Sequence, residues 1–513
     1  MTRLLKFAAL FVAIACLTWI VVITRWRGNG HAVDAGDLVL WLGVLPVVLF
    51  LLALAARWAV RGALAAQAAR DTAAAAAAST AAAGSGPGGA AGAGAAPQAP
   101  GVADASSTPW RLLHAGVHVA AGTDAASLLA ALEAGAPRPK PDARLRDRDG
   151  LPVMSARIEA LGTGPVEEAL VALRDAMSPD AVDAETLPTI DASVATALAI
   201  ERRVATRVVR ALAALSPLLD ECAPMLAQAP GTVRVLAAWP EDWDDAACAL
   251  AQRWLDARLV PAQPSPGATA APRWLLQAQR RAGAELLDAA ARLLDPLQRE
   301  GRADPVVLVA CHSDLDDAAL RRLESSQRLF HSARQPRVPM PGEGAALLVL
   351  SAATAHPATA RTGDAHGAEN ADAHAPASLP VMALVHRAAT ARRAADIDAP
   401  GRVVADDTRA LASRALAQAG AAPGSVASLA CDADQHTARA TELFAVTLDL
   451  LPDLDAADDL RLAGTLCGRL GPAAPLVAVA LAAARAADSK RPALALSLAD
   501  AHWRAASLLL PPT

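Results

Sequence analysis

The sequence lacks the features that mark a nucleic-acid-binding protein. It has no tyrosine, only five phenylalanines, and 47 Lys and Arg against 52 Asp and Glu, which gives a formal net charge of −5 over 513 residues. Proteins that bind nucleic acid usually carry an excess of basic residues on one face. We therefore expect no nucleic-acid partner.

The sequence also lacks a metal-binding or disulfide pattern. Its six cysteines are scattered, with no C-x-x-C pair, so we expect free thiols in a reducing compartment. Three histidines fall in an Ala/Asp-rich segment, but their wide spacing favours a solvated insertion over a metal site. These are His356, His366 and His374. No metal and no cofactor is predicted.

Two long apolar runs lie near the N-terminus, at residues 7–24 and 38–56. Each is close to the length of about 20 residues that a helix needs to cross a bilayer. A cleavable signal peptide is the alternative for the first run. However, this run is longer than a usual h-region, has no persuasive cleavage site and is followed at once by a second run. We predict a transmembrane helical hairpin within residues 1–61, with the lipid bilayer as a partner.

Basic residues flank the two apolar runs. Arg3 and Lys6 precede the first run, and Arg57, Arg61 and Arg70 follow the second. The intervening loop holds two further arginines, so the bias towards the two ends is modest. Under the positive-inside rule it predicts a two-span protein of a bacterial inner membrane, with both termini and the soluble domain in the cytoplasm.

Residues 62–109 have the composition of a low-complexity linker. An alanine tract at 62–83 favours helix, whereas the Gly/Pro/Ala segment at 84–101 is typical of a flexible tether. We expect this linker to hold a soluble domain, residues 110–513, near the membrane.

In the soluble part, short apolar runs alternate with longer Ala/Leu-rich stretches of helical periodicity. This alternation predicts an α/β fold with a largely parallel sheet covered on both faces. Strands are predicted at 112–120, 232–239, 305–311, 345–351, 379–386, 425–431 and 492–499. Helices are predicted around 166–177, 191–216, 244–259, 281–299, 405–419, 437–450 and 474–487.

Several motifs resemble the ketosynthases of the thiolase superfamily. The segment "PVVLVACHSDLDDAALRRLESSQRLFHSARQPRVPMPGEGAALLVL" is similar to their strand ending in Gly-Gly-x-Asp-Ser, followed by a GEGAA turn and strand. Its turn residues are 342–346, where we expect the glycines to permit a chain reversal and the small residues to fit a crowded sheet.

Two later segments extend the resemblance. "SVASLACDADQHTARATELF" at 425–444 looks like a strand followed by an Asp-x-Asn-Gly-Glu-x-x-Arg-Ala loop, and "GTLCGRLGPAAPLVAVALAAA" at 464–484 looks like a Gly-rich helix entry. The last 22 residues of the resemblance, from Arg491, suit two final strands. The resemblance implies a layered α/β/α/β/α fold with two related halves, about 110–352 and 379–513, which usually forms homodimers.

The resemblance also implies an active site that this sequence does not complete. Ketosynthases use a thiol at a helix N-terminus and two imidazoles, or His and Asn, around the reacting thioester. The matching stretch, 274–294, contains no cysteine. The first family histidine falls near Cys431 or Asp432, and Arg469 stands near the second. We therefore expect a catalytically degenerate domain, a pseudoenzyme.

The alternative to a degenerate domain is an active site built from other residues than those of the ketosynthase motifs. Candidate residues for it lie at predicted strand ends or in adjacent loops, where α/β proteins place their sites. They are Cys431, His436, Cys467, Cys311 and His312. Three functions remain open: a membrane-anchored interaction module accessory to a secretion system, an acyltransferase or condensing enzyme acting on acyl-carrier or CoA thioesters through a relocated cysteine, and a noncatalytic acyl-thioester binder.

Overall fold

The computed structural model describes Trp19 and residues 108–135, 139–177, 204–229, 231–259, 273–331, 338–352, 380–397 and 403–512. Backbone proximity divides the chain into two units, Met1–Ala99 and Pro100–Thr513. The predicted membrane spans, and most of the predicted linker, lie outside the described residues apart from Trp19. Within the described residues, no helix combines the length and the apolar character needed to cross a membrane.

The described strands belong to one large sheet and one hairpin. They are β1 (Trp110–Val119), β2 (Lys140–Arg146), β3 (Pro152–Ser155), β4 (Thr232–Trp239), β5 (Arg273–Arg280), β6 (Pro305–Ser313), β7 (Glu343–Ser351), β8 (Ala383–Val385), β9 (Ala389–Arg392), β10 (Ser428–Cys431), β11 (Leu460–Leu462), β12 (Ala493–Ser497) and β13 (Trp503–Leu510). Strands β2 and β3 form the hairpin, and the other strands form the sheet.

The described helices are α1 (Ala125–Glu133), α2 (Gly164–Met177), α3 (Thr206–Ala227), α4 (Asp245–Leu259), α5 (Gly283–Arg299), α6 (Asp317–Ser325), α7 (Asp406–Gln418), α8 (Thr437–Leu450), α9 (Gly464–Cys467) and α10 (Ala474–Ser489). Short 3-10 turns at Pro423–Ser425 and Gly471–Ala473 precede β10 and α10.

The large sheet repeats one topology twice. Its order is β11-β10-β12-β13-β8-β1-β7-β6-β4-β5. If the strands of each half are numbered in chain order, with β8 and β9 counted as one strand because both pair with β13, both halves read 3-2-4-5-1, with the fifth strand, β7 or β13, antiparallel to its neighbours. The halves meet where β1 pairs with β8, from Trp110 opposite Val385 to Leu112 opposite Ala383. The mixed α/β class is thus confirmed.

The expectation of a largely parallel sheet was wrong. Parallel pairing is confined to β4 with β5 and β6, and to β10 with β11 and β12. The alternation of strands and helices in the sequence gives the order of the elements, but not whether neighbouring strands run parallel or antiparallel. The second half shows the physical reason, because β12 and β13 are joined by residues 498–502 alone, and a parallel pair needs a much longer crossover.

Three of the four apolar clusters in the described residues lie between the layers of the fold. The middle core holds α5 and α10 between the two halves of the sheet. The outer face of the first half is covered by α3 and α4, and that of the second half by α7 and α8. Helix α10 is buried along most of its length, because its sequence is apolar on every side. The layers therefore run α/β/α/β/α. The two central helices, α5 and α10, extend to the ends of the strands.

The stretch 274–294 divides into a strand and a helix. Strand β5 ends at Arg280 and α5 begins at Gly283, so only the second part is helical. The first part was missed as a strand, although half-buried and exposed residues alternate along it with the period of two that is typical of an edge strand. This boundary places Arg281 and Ala282 at the N-terminus of α5.

Gly342 and Gly344 are required for close packing, not for chain reversal. Neither has a positive φ. A Cβ at Gly342 would lie 2.3 Å from the Cys467 carbonyl oxygen and 2.9 Å from the Arg469 nitrogen, and one at Gly344 would lie 2.7 Å from Val119 Cγ1. The expectation that these glycines permit a reversal was therefore wrong. Small residues are needed because the second half of the fold presses against this turn.

Candidate functional site

A cavity of about 310 Å³ lies between the two halves. Its walls are the segments that follow β4, β5, β6, β10, β11 and β12, so it occupies the edge of the sheet where α/β folds place ligand sites. Its ionisable lining residues are Glu241, Asp242, Arg281, His312, Asp314, Arg328, Asp432, Asp434, Arg439, Arg469 and Asp500. Among the described lining residues there is no Cys, Ser, Thr, Tyr or Lys side chain.

One wall of the cavity is an ion pair between the half-buried Arg469 and the buried Asp314. The Arg469 guanidinium donates from Nε to Asp314 Oδ2 at 2.8 Å and from Nη2 to Oδ1 at 2.7 Å. His312 Nε2 lies 3.2 Å from Asp314 Oδ1. Burial opposes ionisation of Asp314, which is 1% exposed, but Arg469 and His312 prevail and hold its pKa well below the usual range. Asp314 is therefore a fixed anion whose charge is already compensated.

A second buried carboxylate lies on the other half. Asp432 follows β10 and accepts hydrogen bonds from the Ser497 hydroxyl at 2.6 Å and from the backbone N–H groups of Leu498 and Ala499 at 2.6 and 3.0 Å. Burial raises the pKa of Asp432 in spite of these donors. Arg439 binds the carbonyl oxygens of the same two residues from Nε. This network fixes the 498–501 segment that forms part of the wall.

The N-terminus of α5 opens into the cavity without a nucleophile. Arg281 and Ala282 line the cavity, and the helix begins at Gly283. A Cβ at Gly283 would lie 2.3 Å from the Pro472 carbonyl oxygen, so the entry to α10 packs closely on the start of α5. In ketosynthases, as the resemblance implies, this helix start carries the thiol. In this chain the residue at the helix start is Ala282.

The three candidate cysteines are separate and fully buried. Cys311 packs in the outer core of the first half, Cys431 in the outer core of the second half, and Cys467 in the middle core. Burial raises the pKa of all three thiols, that of Cys467 to about 12. Near neutral pH each is a protonated packing residue, and none lines the cavity.

The two candidate histidines take different roles. His436 is the N-cap of α8, where Nδ1 accepts a hydrogen bond from the Ala438 N–H at 3.2 Å, and it does not line the cavity. His312 does line the cavity. Of the five candidate residues, the structure therefore brings only His312 to the cavity, without a thiol partner among the described residues.

The GEGAA glutamate has a structural role that sequence reasoning missed. Glu343 is 0% exposed and accepts hydrogen bonds from Arg210 at 2.6 Å (Nε to Oε2) and 2.5 Å (Nη2 to Oε1). It also accepts one from the Ile158 N–H at 2.8 Å. A carboxylate inside an otherwise apolar strand was the available signal, because such a group requires a buried partner.

Solved structures of ketosynthases are similar to this chain in fold. The ishigamide ketosynthase/chain length factor matches at 20% identity and a TM-score of 0.42, over 79% of this chain and 100% of the matched chain. The ketosynthase ApeO with its chain length factor ApeC, from Xenorhabdus doucetiae, matches at 12% identity and a TM-score of 0.48, over 79% and 98%. A ketosynthase from module 6 of the Bacillus subtilis 168 bacillaene synthase matches at 11% identity and a TM-score of 0.48, over 79% and 72%.

No protein-family model matches the sequence, and no curated protein is significantly similar to it. The solved structures are of the class that the sequence motifs predicted. At 11–20% identity the likeness concerns the fold alone. Any activity must therefore be argued from the cavity.

The cavity can bind and orient a ligand, but the described residues give it no group for covalent acyl transfer. A thioester-forming enzyme needs a nucleophile with a base in reach. Here the helix start holds Ala282, and Arg469, paired with Asp314, stands where the resemblance places an imidazole. The described lining offers hydrogen-bonding and charged side chains, among them one histidine.

Proposed function

We propose that this protein is a membrane-tethered, noncatalytic ketosynthase-like protein that serves as an interaction module. The observation that carries the proposal is the cavity itself: it lies where the fold would place a thioester, and its described lining contains no nucleophilic side chain. The raised pKa values of Cys311, Cys431 and Cys467 support the same conclusion, because a protonated buried thiol is a poor nucleophile.

The membrane tether rests on the sequence. The apolar runs 7–24 and 38–56 form a two-helix anchor in the inner membrane, and the linker to residue 109 holds the domain on the cytoplasmic side. In a membrane assembly such as a secretion system, the domain would serve as a binding site for other proteins. Its first partner in such an assembly is a second copy of the chain, bound through the domain.

The matched proteins offer precedents for partners. The ApeO ketosynthase is in complex with a chain length factor, and another matched ketosynthase is in complex with an acyl-carrier protein. A protein partner is therefore a natural proposal for this chain as well. The enzymatic alternative, an acyltransferase with a relocated cysteine, would need one of the buried thiols to reach the cavity, and no observation favours it.

An acylation assay tests the proposal. The full-length protein in nonionic detergent is incubated with butyryl-CoA, and both its intact mass and the release of free CoA are followed. We expect no acyl adduct and no CoA release above a protein-free control. A stoichiometric butyryl adduct that disappears in Cys467→Ser or Cys431→Ser would establish the condensing-enzyme alternative instead.

A further inference from the structure

We infer that the β2–β3 hairpin is a second membrane contact of this protein, which docks the soluble domain on anionic phospholipid head groups. The inference deepens the proposed function and rests on it, since it requires that the N-terminal anchor holds the domain beside a bilayer. It follows from the exposed cations of the hairpin and from an exposed leucine at its turn.

The cations of the hairpin have no carboxylate partner among the described residues. Four basic side chains lie within residues 140–148, and all are exposed: Lys140, Arg144, Arg146 and Arg148. The Arg146 guanidinium donates to the backbone carbonyl oxygens of Asp142 and Leu145. The other three side chains make no hydrogen bond or ion pair within the part of the chain that the structure describes. Their charges are therefore available to a partner.

The acidic residues of the hairpin mostly serve the hairpin itself. Asp142 is buried and forms an ion pair of 2.7 Å with Arg157. The Asp147 carboxylate accepts the backbone N–H groups of Asp149 and Leu151 at 3.0 and 2.8 Å, which closes the turn. Against the four cations, the solvent-facing side of the hairpin carries only Asp147 and Asp149. Its surface is therefore basic.

The packing of the hairpin turns part of this charge outward. Leu145 and Val153 pack with leucines of α6 in a small core of their own. Successive residues of a strand point to opposite faces, so Arg144 and Arg146, on either side of Leu145, point away from this core. The turn that follows carries Leu151, which is 51% exposed. Binding to a bilayer surface uses such a combination, because buried apolar area and attraction to anionic lipids add together.

The tether favours a bilayer over an acidic protein as the partner. The predicted spans end at residue 56, and the described part of the domain begins at Thr108. Between them, the Gly/Pro/Ala segment 84–101 alone would give a root-mean-square reach of about 20–25 Å as a flexible coil. A patch held so close to a bilayer is at high effective concentration. Each Lys or Arg near an anionic bilayer strengthens binding about fivefold, so a few cations are enough for docking.

An exposed loop in the second half of the domain carries the opposite charge. The segment that follows α8 holds Asp453 and Asp458, both exposed. An anionic bilayer repels this loop and attracts the hairpin, so electrostatic forces select one orientation of the domain. The end of α8 beside this loop, at Leu448, is therefore a suitable control position for a test of contact with lipid.

Fluorescence of the full-length protein in proteoliposomes tests the assignment. An environment-sensitive nitrobenzoxadiazole label is attached at Leu151→Cys, or at Leu448→Cys as the control, in a background with Cys16→Ser and Cys248→Ser. The liposomes contain phosphatidylcholine alone or an equimolar mixture with phosphatidylglycerol. We expect a blue shift at residue 151 in the anionic liposomes, reversed by concentrated NaCl, and none at residue 448. The same emission at residue 151 in both liposomes would overturn the membrane contact in favour of an acidic protein partner.

A matched pair of double variants, each labelled at residue 151, tests the arginines. Arg144→Gln/Arg148→Gln removes two charges and no described side-chain hydrogen bond. It should lower the docking equilibrium constant, read from shifted and unshifted emission, about thirtyfold. Arg253→Gln/Arg414→Gln removes the same charge from exposed positions on α4 and α7 and should change that constant by less than about twofold. An equal effect of the two double variants would overturn the role of the hairpin.

Failure of the proposed function would give a different result. A chain without an N-terminal anchor would separate from the liposomes during flotation in alkaline sodium carbonate. An anchored chain with an undocked hairpin would float with the liposomes and show unshifted emission at residue 151. Release of free CoA from butyryl-CoA would contradict the noncatalytic proposal alone, so the failures are distinguishable.

Discussion

Arg469 and Asp314 join the two halves of the fold through two hydrogen bonds, Nε to Oδ2 at 2.8 Å and Nη2 to Oδ1 at 2.7 Å. Asp314 follows β6 in the first half, and Arg469 lies between α9 and α10 in the second. The pair occupies a wall of the cavity, where the ketosynthase resemblance implies a catalytic imidazole. The pair therefore links the two halves of the fold at the wall of the cavity.

Loss of either partner of this pair should destabilise the domain. Asp314 is buried, so Arg469→Leu leaves its charge with His312 alone beside it and should lower the free energy of unfolding by about 3 kcal/mol. Urea unfolding followed by the fluorescence of the buried Trp239 and Trp243 measures this. The double variant Arg469→Leu/Asp314→Leu should recover much of the loss, since neither charge remains. A double variant as unstable as the single one would contradict the account.

The same carboxylate should shape the acid side of the stability curve. The folded-state pKa of Asp314 is depressed, so its stabilising contribution is present above the unfolded-state pKa, near 4, and is lost as the pH falls from there towards the folded-state value. Asp314→Asn should therefore flatten the fall in unfolding free energy below about pH 4. Urea midpoints between pH 2 and 6 provide the measurement. Parallel curves for the two proteins would show that Asp314 contributes nothing to the acid limb.

The glycine before Glu343 should not tolerate a side chain. A Cβ at Gly342 would meet backbone atoms of Cys467 and Arg469, so Gly342→Ala forces the backbone to move and should cost about 1–3 kcal/mol. Gly162 provides the matched control, because no atom lies within 4 Å of its Cβ position and its φ is not positive. Thermal unfolding of both variants should show a loss for Gly342→Ala alone. Equal midpoints would refute the close-packing explanation of this turn.

The proposed homodimer could form at one of the two ends of the large sheet, β5 or β11, and β5 is the longer of these strands. Strand β5 ends the sheet order, pairs with β4 alone among the described strands, and exposes 40% of Leu275. Unpaired edge strands offer backbone groups to a second chain. Leu275→Lys should shift the protein from dimer to monomer in analytical ultracentrifugation, whereas Leu448→Lys, at a position 67% exposed on α8, should not. A dimer retained by Leu275→Lys would exclude this edge as the contact.

The sequence predicted elements well where the local pattern was strong. The predicted bounds of β4, 232–239, and of α8, 437–450, agree with the structure. Strand β5 was missed, since it is an edge strand with one half-buried face and mostly polar residues on the other. The pairing of Glu343 with Arg210 spans 133 residues of sequence, and no local pattern reports such a contact.

The candidate site, like the fold, was predicted from the sequence only in part. Cys311 and His312 are neighbours on β6, and successive residues of a strand point to opposite faces of the sheet, so both could not serve one site. The structure places Cys311 in the outer core and His312 at the cavity. Arg281 stood in the stretch that lacked a cysteine, but its unpartnered Nε could be recognised only from the surrounding atoms.

The most direct test of the noncatalytic account is the rate at which iodoacetamide labels each cysteine of the full-length protein near neutral pH. Mass spectrometry would resolve the sites, with and without butyryl-CoA and against a urea-unfolded control. We predict slow labelling at Cys222, Cys311, Cys431 and Cys467, faster labelling at the half-buried Cys248, and no protection by butyryl-CoA. Rapid labelling of Cys431 or Cys467 that butyryl-CoA prevents would contradict the account and identify a nucleophile.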